Sequence, residues 1–218
     1  MNTTPGSLPK TFSITAIVLC SAYAYAWALS CLPASGLDPW IIVAFINTAL
    51  AVLVLWLWKI DAEPLSPVPQ RIAAWSLGLW VILGSSLLIY FSTYISKETH
   101  DHGYTLYDFL ALCLWIPVVE EIVFRRFLSQ WIGLRVQGLW AIYVSGLAFA
   151  LAHTSPPLHP WPPLGPFLLG CACTWVYRAT GRTLAPIILH AACNASAVMF
   201  AVYAPSWLDH LSLLYQKL

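Results

Sequence analysis

Two adjacent glutamates stand in an apolar run that reads Trp115-Ile116-Pro117-Val118-Val119-Glu120-Glu121-Ile122-Val123-Phe124-Arg125-Arg126. Glu121 precedes Arg125 by one helical turn with the acid on the N-terminal side, the favourable order for a helical ion pair. Glu120 is rotated about 100° around the helix from that pair, so one carboxylate is neutralised and the other is left for proton transfer. Further on, Phe149-Ala150-Leu151-Ala152-His153 places an aromatic ring and an imidazole on one helix face, and His190-Ala191-Ala192-Cys193-Asn194 does the same for an imidazole and an amide. A shielded carboxylate with an imidazole can shuttle a proton to and from water, whereas an imidazole and an amide can donate hydrogen bonds to an oxyanion. Each set also has a plainer reading: a helix-end charge cluster at the cytoplasmic interface, a structural histidine, and polar glue between helices.

The elements that must position these groups are membrane helices. The chain has 218 residues, 60% hydrophobic and 9% charged, which is more apolar surface than one soluble core can hide, so lipid is the expected solvent. Crossing the hydrocarbon takes about 20 mostly apolar residues. Stretches that qualify or nearly do run from Phe12 to Leu32, Trp40 to Trp58, Ala73 to Tyr94, Leu106 to Phe124, Leu139 to Ala152, Leu164 to Tyr177 and Leu184 to Ala204. The links carry turn chemistry: Pro33 to Pro39, Glu63 to Gln70 and the proline-rich Ser155 to Pro166. The expected fold is all-α, a polytopic membrane helix bundle of about seven transmembrane helices around an intramembrane catalytic cavity lined by Trp115, Phe124, Phe149 and Leu189. Residues 1–105 supply three N-terminal helices, 106–204 a four-helix core, and 205–218 a short interfacial helix. The first segment is long for a secretory leader, so a retained helix is expected.

Ionisable groups at membrane depth cost about 2.5 kcal/mol each or more, which demands a reason for them. Depth tests whether they act together. If the fourth helix continues through Phe127 and Trp131 to a turn between Gly133 and Gly138, Glu120 lies 13 residues before the turn and His153 lies 15 after it. At 1.5 Å per residue each stands about 20 Å from the bend. Lys10, Lys59, Arg71, Arg135, Arg178 and Arg182 then fall on one side, with Lys97 and Lys217 on the other, which makes the N-terminus cytoplasmic and the C-terminus external.

The net charge of +1 and the scattered Lys and Arg exclude a nucleic-acid footprint. The six cysteines, Cys20, Cys31, Cys113, Cys171, Cys173 and Cys193, lie within or at the ends of apolar stretches and read as packing residues. The zinc-peptidase signature His-Glu-x-x-His is absent, and Tyr107-Asp108 has no Gly-x-Gly-Asp partner for an aspartyl pair.

Glu120-Glu121-x-x-x-Arg125, Phe149-x-x-x-His153 and His190-x-x-x-Asn194, in this order on separate apolar segments, resemble the three motifs of the CPBP family. This family comprises the CAAX-type endoproteases and the bacteriocin-processing or immunity proteins of membranes. Gly181-Arg182-Thr183-Leu184-Ala185-Pro186 is similar to the family's approach to its third motif, so the resemblance covers about Leu106 to Ala204. It implies an intramembrane endopeptidase in which Glu120 and His153 activate a water, His190 and Asn194 bind the oxyanion, and Glu121, Arg125 and Phe149 support them. The family is described both as a metal-free glutamate peptidase and as a metallopeptidase; Glu120, His153 and His190 would make a zinc set with one open position, and both schemes stay open. The chain is shorter than the eukaryotic prenyl-protein endoproteases. The resemblance therefore implies a bacterial inner-membrane protein whose substrate is a membrane-anchored polypeptide, a C-terminal sorting tail or processed peptide rather than a prenylated CAAX protein. The alternative is a non-enzymatic membrane protein, a small transporter, immunity protein or scaffold with structural buried charges.

Overall fold

A computed structural model describes residues 8–30, 39–57, 109–136, 138–154, 156 and 160–203. Among the described residues every regular element is helical, which agrees with the all-α expectation. Helix α1 spans Leu8–Ser30 and α2 spans Pro39–Leu57. A continuous rod follows, made of π1 (Ala111–Trp115), α3 (Ile116–Glu121), π2 (Ile122–Ser129) and α4 (Gln130–Gly133). Then come α5 (Gly138–Ala152), α6 (Leu164–Thr180) and α7 (Leu184–Tyr203). The segments Ala73 to Tyr94 and 205–218 lie outside the described residues.

Proline and glycine explain the boundaries. Pro39, Pro166 and Pro186 stand in the first turns of α2, α6 and α7, where a missing N–H removes nothing the helix could use. Gly181 ends α6 in the left-handed region at φ 67°, its N–H bonded to Tyr177 O at 2.7 Å, a conformation that costs glycine no Cβ clash. Gly138, at φ 63°, opens α5 after the turn that follows α4. The rod therefore runs past Phe127 and Trp131 to Gly133 and folds back as a hairpin. Pro117 is the exception, inside the rod, with consequences taken up below.

Two compact units divide the chain. The first comprises residues 1–68 and 119–186, so it holds α1, α2, most of the rod, α5 and α6. Its apolar core joins Val18 and Ala22 of α1 to Ile132, Val136, Ala141, Val144 and Ala148, and Trp140 Nε1 donates to Thr15 Oγ1 at 3.3 Å across the same face. The second comprises residues 69–118 and 187–218. There π1 packs against α7 through Phe109, Cys113, Ala195 and Val198.

Polar groups point inward and large apolar ones outward. Glu121 and Arg125 have no accessible surface, while Phe45 is 73% and Trp56 70% exposed on α2. Water would penalise that distribution; hydrocarbon does not. Thr11–Ser30 is the stretch among the described residues that is both long and apolar enough to cross a membrane, and Ile41–Leu57, Gly138–Ala152 and Leu184–Met199 are apolar but shorter. The rod is excluded from that set by the charges it carries at positions 120, 121, 125 and 126.

Helices α5 and α6 approach each other backbone to backbone. A Cβ on Gly170 would meet Gly146 Cα at 2.9 Å, Gly146 O at 3.0 Å and Phe149 Cβ at 3.1 Å. Backbone contact of this kind is how membrane helices gain van der Waals attraction without a hydrophobic driving force. Beside it, the buried Ser145 and Thr174 hydroxyls hydrogen-bond at 3.0 Å. Gly170→Ala should therefore lower the melting temperature in detergent, by a shift corresponding to about 1–3 kcal/mol of overpacking. Gly165→Ala, where nothing lies within 4 Å, should leave it unchanged or raised.

Candidate active site

Arg125 on π2 and Glu121 at the end of α3, one turn before it, both have no accessible surface. The guanidinium meets the carboxylate twice, Nε to Oε2 at 2.8 Å and Nη2 donating to Oε1 at 3.2 Å. Its Cζ also stands 4.8 Å from the centroid of the Phe149 ring and 6.0 Å from that of Phe124, within the range of cation–π attraction. The two rings meet edge to face at 5.0 Å. A buried charge needs a counter-charge; Glu121 supplies it and the Phe149 face adds a cation–π contact, while Arg125 Nη1 has no hydrogen-bond partner among the described residues.

Phe149 carries the arrangement one turn further. Its ring lies 4.3 Å from the His153 ring, and its backbone carbonyl is 2.8 Å from His153 Nδ1. A carbonyl can only accept, so Nδ1 carries a proton and donates it there. That assigns the tautomer and leaves Nε2 as the nitrogen that exchanges protons. Nε2 faces Glu120 Oε2 at 3.5 Å. The imidazole is 32% exposed and the carboxylate 11%, so the pair has one accessible end and one buried end. His153 follows the last turn of α5, which tightens there: His153 N donates to Ala150 O at 3.0 Å and Thr154 N to Leu151 O at 3.2 Å.

The hairpin thus brings Glu120 and His153 to the same level, as their distances from the turn require. Tyr25 of α1 and Asn47 of α2 are nearby features that motif spacing did not reveal. The Tyr25 hydroxyl donates to Asn47 Oδ1 at 2.6 Å, and the Glu120 charge reaches that hydroxyl electrostatically. Their sequence signal is weak, since the first helices are distinguished only by being apolar, although a lone asparagine in such a helix is unusual in itself.

His190 and Asn194 belong to the second unit, on α7. His190 is buried. Asn194 Nδ2 donates to the backbone carbonyl of Leu112 at 2.8 Å, a bond that links α7 to π1. Of the four residues expected around the cavity, Phe124 and Phe149 meet in the first unit, and Trp115 and Leu189 belong to the second. Cys20, Cys113, Cys171, Cys173 and Cys193 form no disulfide; Cys113 and Cys173 are buried and Cys20 is exposed. Among the described residues no group of three or more His, Cys, Asp or Glu side chains is arranged to hold a metal ion; of the expected zinc set, Glu120 and His153 belong to the first unit and His190 to the second.

Comparison with known proteins bears on what this geometry is for. Residues 102–196 match the family model of the Type II CAAX prenyl endopeptidase Rce1-like proteins. That stretch contains the rod, α5, α6 and α7 as far as residue 196, with all three motifs, and over this part the chain is similar to that family. No curated protein and no solved structure matches the chain.

Arg125→Met should be among the most damaging single changes, costing about 3–5 kcal/mol because it leaves the Glu121 carboxylate buried without its partner. Adding Glu121→Leu to that variant should recover much of the loss, since a volume-matched apolar pair needs no counter-charge. Thermal unfolding of the purified variants in detergent measures both.

Proposed function

We propose that the protein is a multi-pass intramembrane endopeptidase that hydrolyses a peptide bond in a membrane-anchored polypeptide, using a water activated by Glu120 and His153. The observation that carries this reading is the facing of Glu120 Oε2 and His153 Nε2 at 3.5 Å, with the tautomer set by the Phe149 carbonyl, inside the segment that matches a CAAX-protease family.

A water beside that gap can reach both groups. Glu120, as carboxylate, takes one proton as the water oxygen attacks the scissile carbonyl carbon, and the carbonyl π electrons move to oxygen. The tetrahedral oxyanion is held by hydrogen-bond donors, a role assigned to His190 and Asn194 from their motif. When the C–N bond breaks, the proton held on Glu120 passes to the departing amine, and the oxyanion re-forms a carbonyl as a carboxylic acid. His153 keeps Glu120 and the water in register and stabilises the charge on the carboxylate. Glu121 takes no part, because its charge is already spent on Arg125.

Two carboxylates side by side in a low-dielectric setting would each resist ionisation. The Arg125 pairing answers the negative charge of one of them, and the other faces His153 as the base. This division favours an enzyme over a transporter or scaffold, for which a single paired charge cluster would suffice.

The expected substrates are C-terminal sorting tails or processed peptides, as the resemblance to bacterial relatives implies; the name of the matched family points to prenylated CAAX proteins. The protein is expected to lie in a bacterial inner membrane with its N-terminus in the cytoplasm.

Glu120→Gln keeps shape and removes the base. It should cut turnover at least about 100-fold with an unchanged melting temperature, measured in phospholipid vesicles on internally quenched lipidated peptides with and without a prenylated CAAX terminus. Retained turnover would sink the assignment of Glu120, and cleavage confined to the prenylated peptide would overturn the substrate class. The wild-type chain should keep its activity in a strong chelator and carry no stoichiometric zinc on elemental analysis; loss of activity on chelation, restored by zinc, would replace the metal-free scheme.

A further inference from the structure

Pro117 lies inside the rod rather than in a first turn, and its effect on the backbone can be followed bond by bond. Ile116 N–H, at the end of π1, donates to Ala111 O, one residue further back than an α-helix would use. In α register that N–H would have served Leu112 O. In π register Leu112 O would be served by the N–H of residue 117, but residue 117 is proline and has none. Leu112 O is therefore deprived of a backbone donor in both registers. The donor it has instead is Asn194 Nδ2, at 2.8 Å from α7.

A buried carbonyl without a donor is costly, and inside lipid the alternatives are few. The match between a carbonyl that Pro117 vacates and an amide that arrives from another helix thus has a physical cause. An asparagine amide has two N–H groups in one plane. Anchoring one of them to a fixed backbone oxygen sets the direction of the other.

We propose that Pro117 is a positioning residue: by withholding an N–H from Leu112 O it recruits the Asn194 amide, and the bond so formed fixes the plane of that amide, whose second N–H is left for the oxyanion role assigned to it. The role of that second N–H rests on the peptidase reading; the link between Pro117, Leu112 O and Asn194 does not. The sequence already contains the cue, since a mid-helix proline frees a carbonyl four or five residues earlier, and an asparagine within an apolar helix needs a partner.

The proposal is tested by a double-mutant cycle on the full chain in detergent, read first by thermal unfolding. Asn194→Ala alone should lower the melting temperature, because Leu112 O is left bare. Pro117→Ala restores a backbone donor to that oxygen in either register, from the new N–H at position 117 or from Ile116. In the Asn194→Ala background it should therefore return most of the lost melting temperature, well beyond the change it makes in the wild-type chain. Strictly additive shifts would overturn the link, whatever the activity. Asn194→Asp provides a second probe, because it places oxygen against oxygen; its loss of melting temperature should likewise be relieved by Pro117→Ala, and absence of relief would count against the link.

The second readout is turnover of the same quenched peptides by the Pro117→Ala variant. With a competing backbone donor on Leu112 O, the Asn194 amide loses its anchor, so kcat should fall on the order of tenfold, with KM unchanged and the fold intact. A thermally coupled pair with unchanged kcat would overturn the positioning role. Failure of the peptidase reading itself is distinguishable, since it would show as turnover retained in Glu120→Gln while the thermal cycle stood.

Discussion

A guanidinium with no accessible surface organises the first unit. Arg125 is answered by the Glu121 carboxylate at 2.8 Å and by the face of Phe149, and neither partner could be placed without the other elements. Glu121 needs the helical turn that precedes Arg125. Phe149 needs α5 to lie along the rod, which in turn needs the hairpin at Gly133 to Gly138 and the glycine contact that draws α6 in behind Phe149. The cost of an unpaired buried charge makes these placements mutually dependent. Small displacements that open the ion pair are disfavoured far more than they would be at a wet surface.

The arrangement around Glu120 follows from that constraint. Adjacent residues on a helix differ by about 100° in direction, so fixing Glu121 toward Arg125 fixes Glu120 elsewhere, toward His153. Phe149 then performs two unrelated tasks: its ring covers Arg125 and its carbonyl sets the His153 tautomer. Arg125 and His153 are thereby tied to each other through one residue. The Glu120–His153 pair keeps its accessible end at the imidazole and its buried end at the carboxylate.

Proline has two different effects in this chain. In the first turns of α2, α6 and α7 it costs nothing, because those N–H groups would have no intrahelical acceptor. Inside the rod Pro117 withholds an N–H just beyond the end of π1, where Ile116 N–H donates to Ala111 O. Stretches of π-helix are uncommon and concentrate at functional sites. Here π1 and π2 flank the short α3 that carries both glutamates.

Much of the site was legible in the sequence because helix periodicity is local. The i,i+4 spacing of Glu121 and Arg125, the one-turn spacing of Phe149 and His153, and the matching distances of Glu120 and His153 from the turn all depend on the rise and twist of a helix alone. The helical fold and the apolar exterior follow from composition in the same way. What spacing could not determine is which polar atom faces which. That Phe149 O is the acceptor for His153 Nδ1, that Asn194 reaches Leu112 O, that Tyr25 and Asn47 stand near Glu120, and that Gly170 makes room for Phe149 are facts of contact between segments distant along the chain. Periodicity assigns a residue to a face of its own helix, whereas the partner on that face depends on how helices cross. Those crossings are decided by packing and by the need to satisfy every buried charge and carbonyl at once.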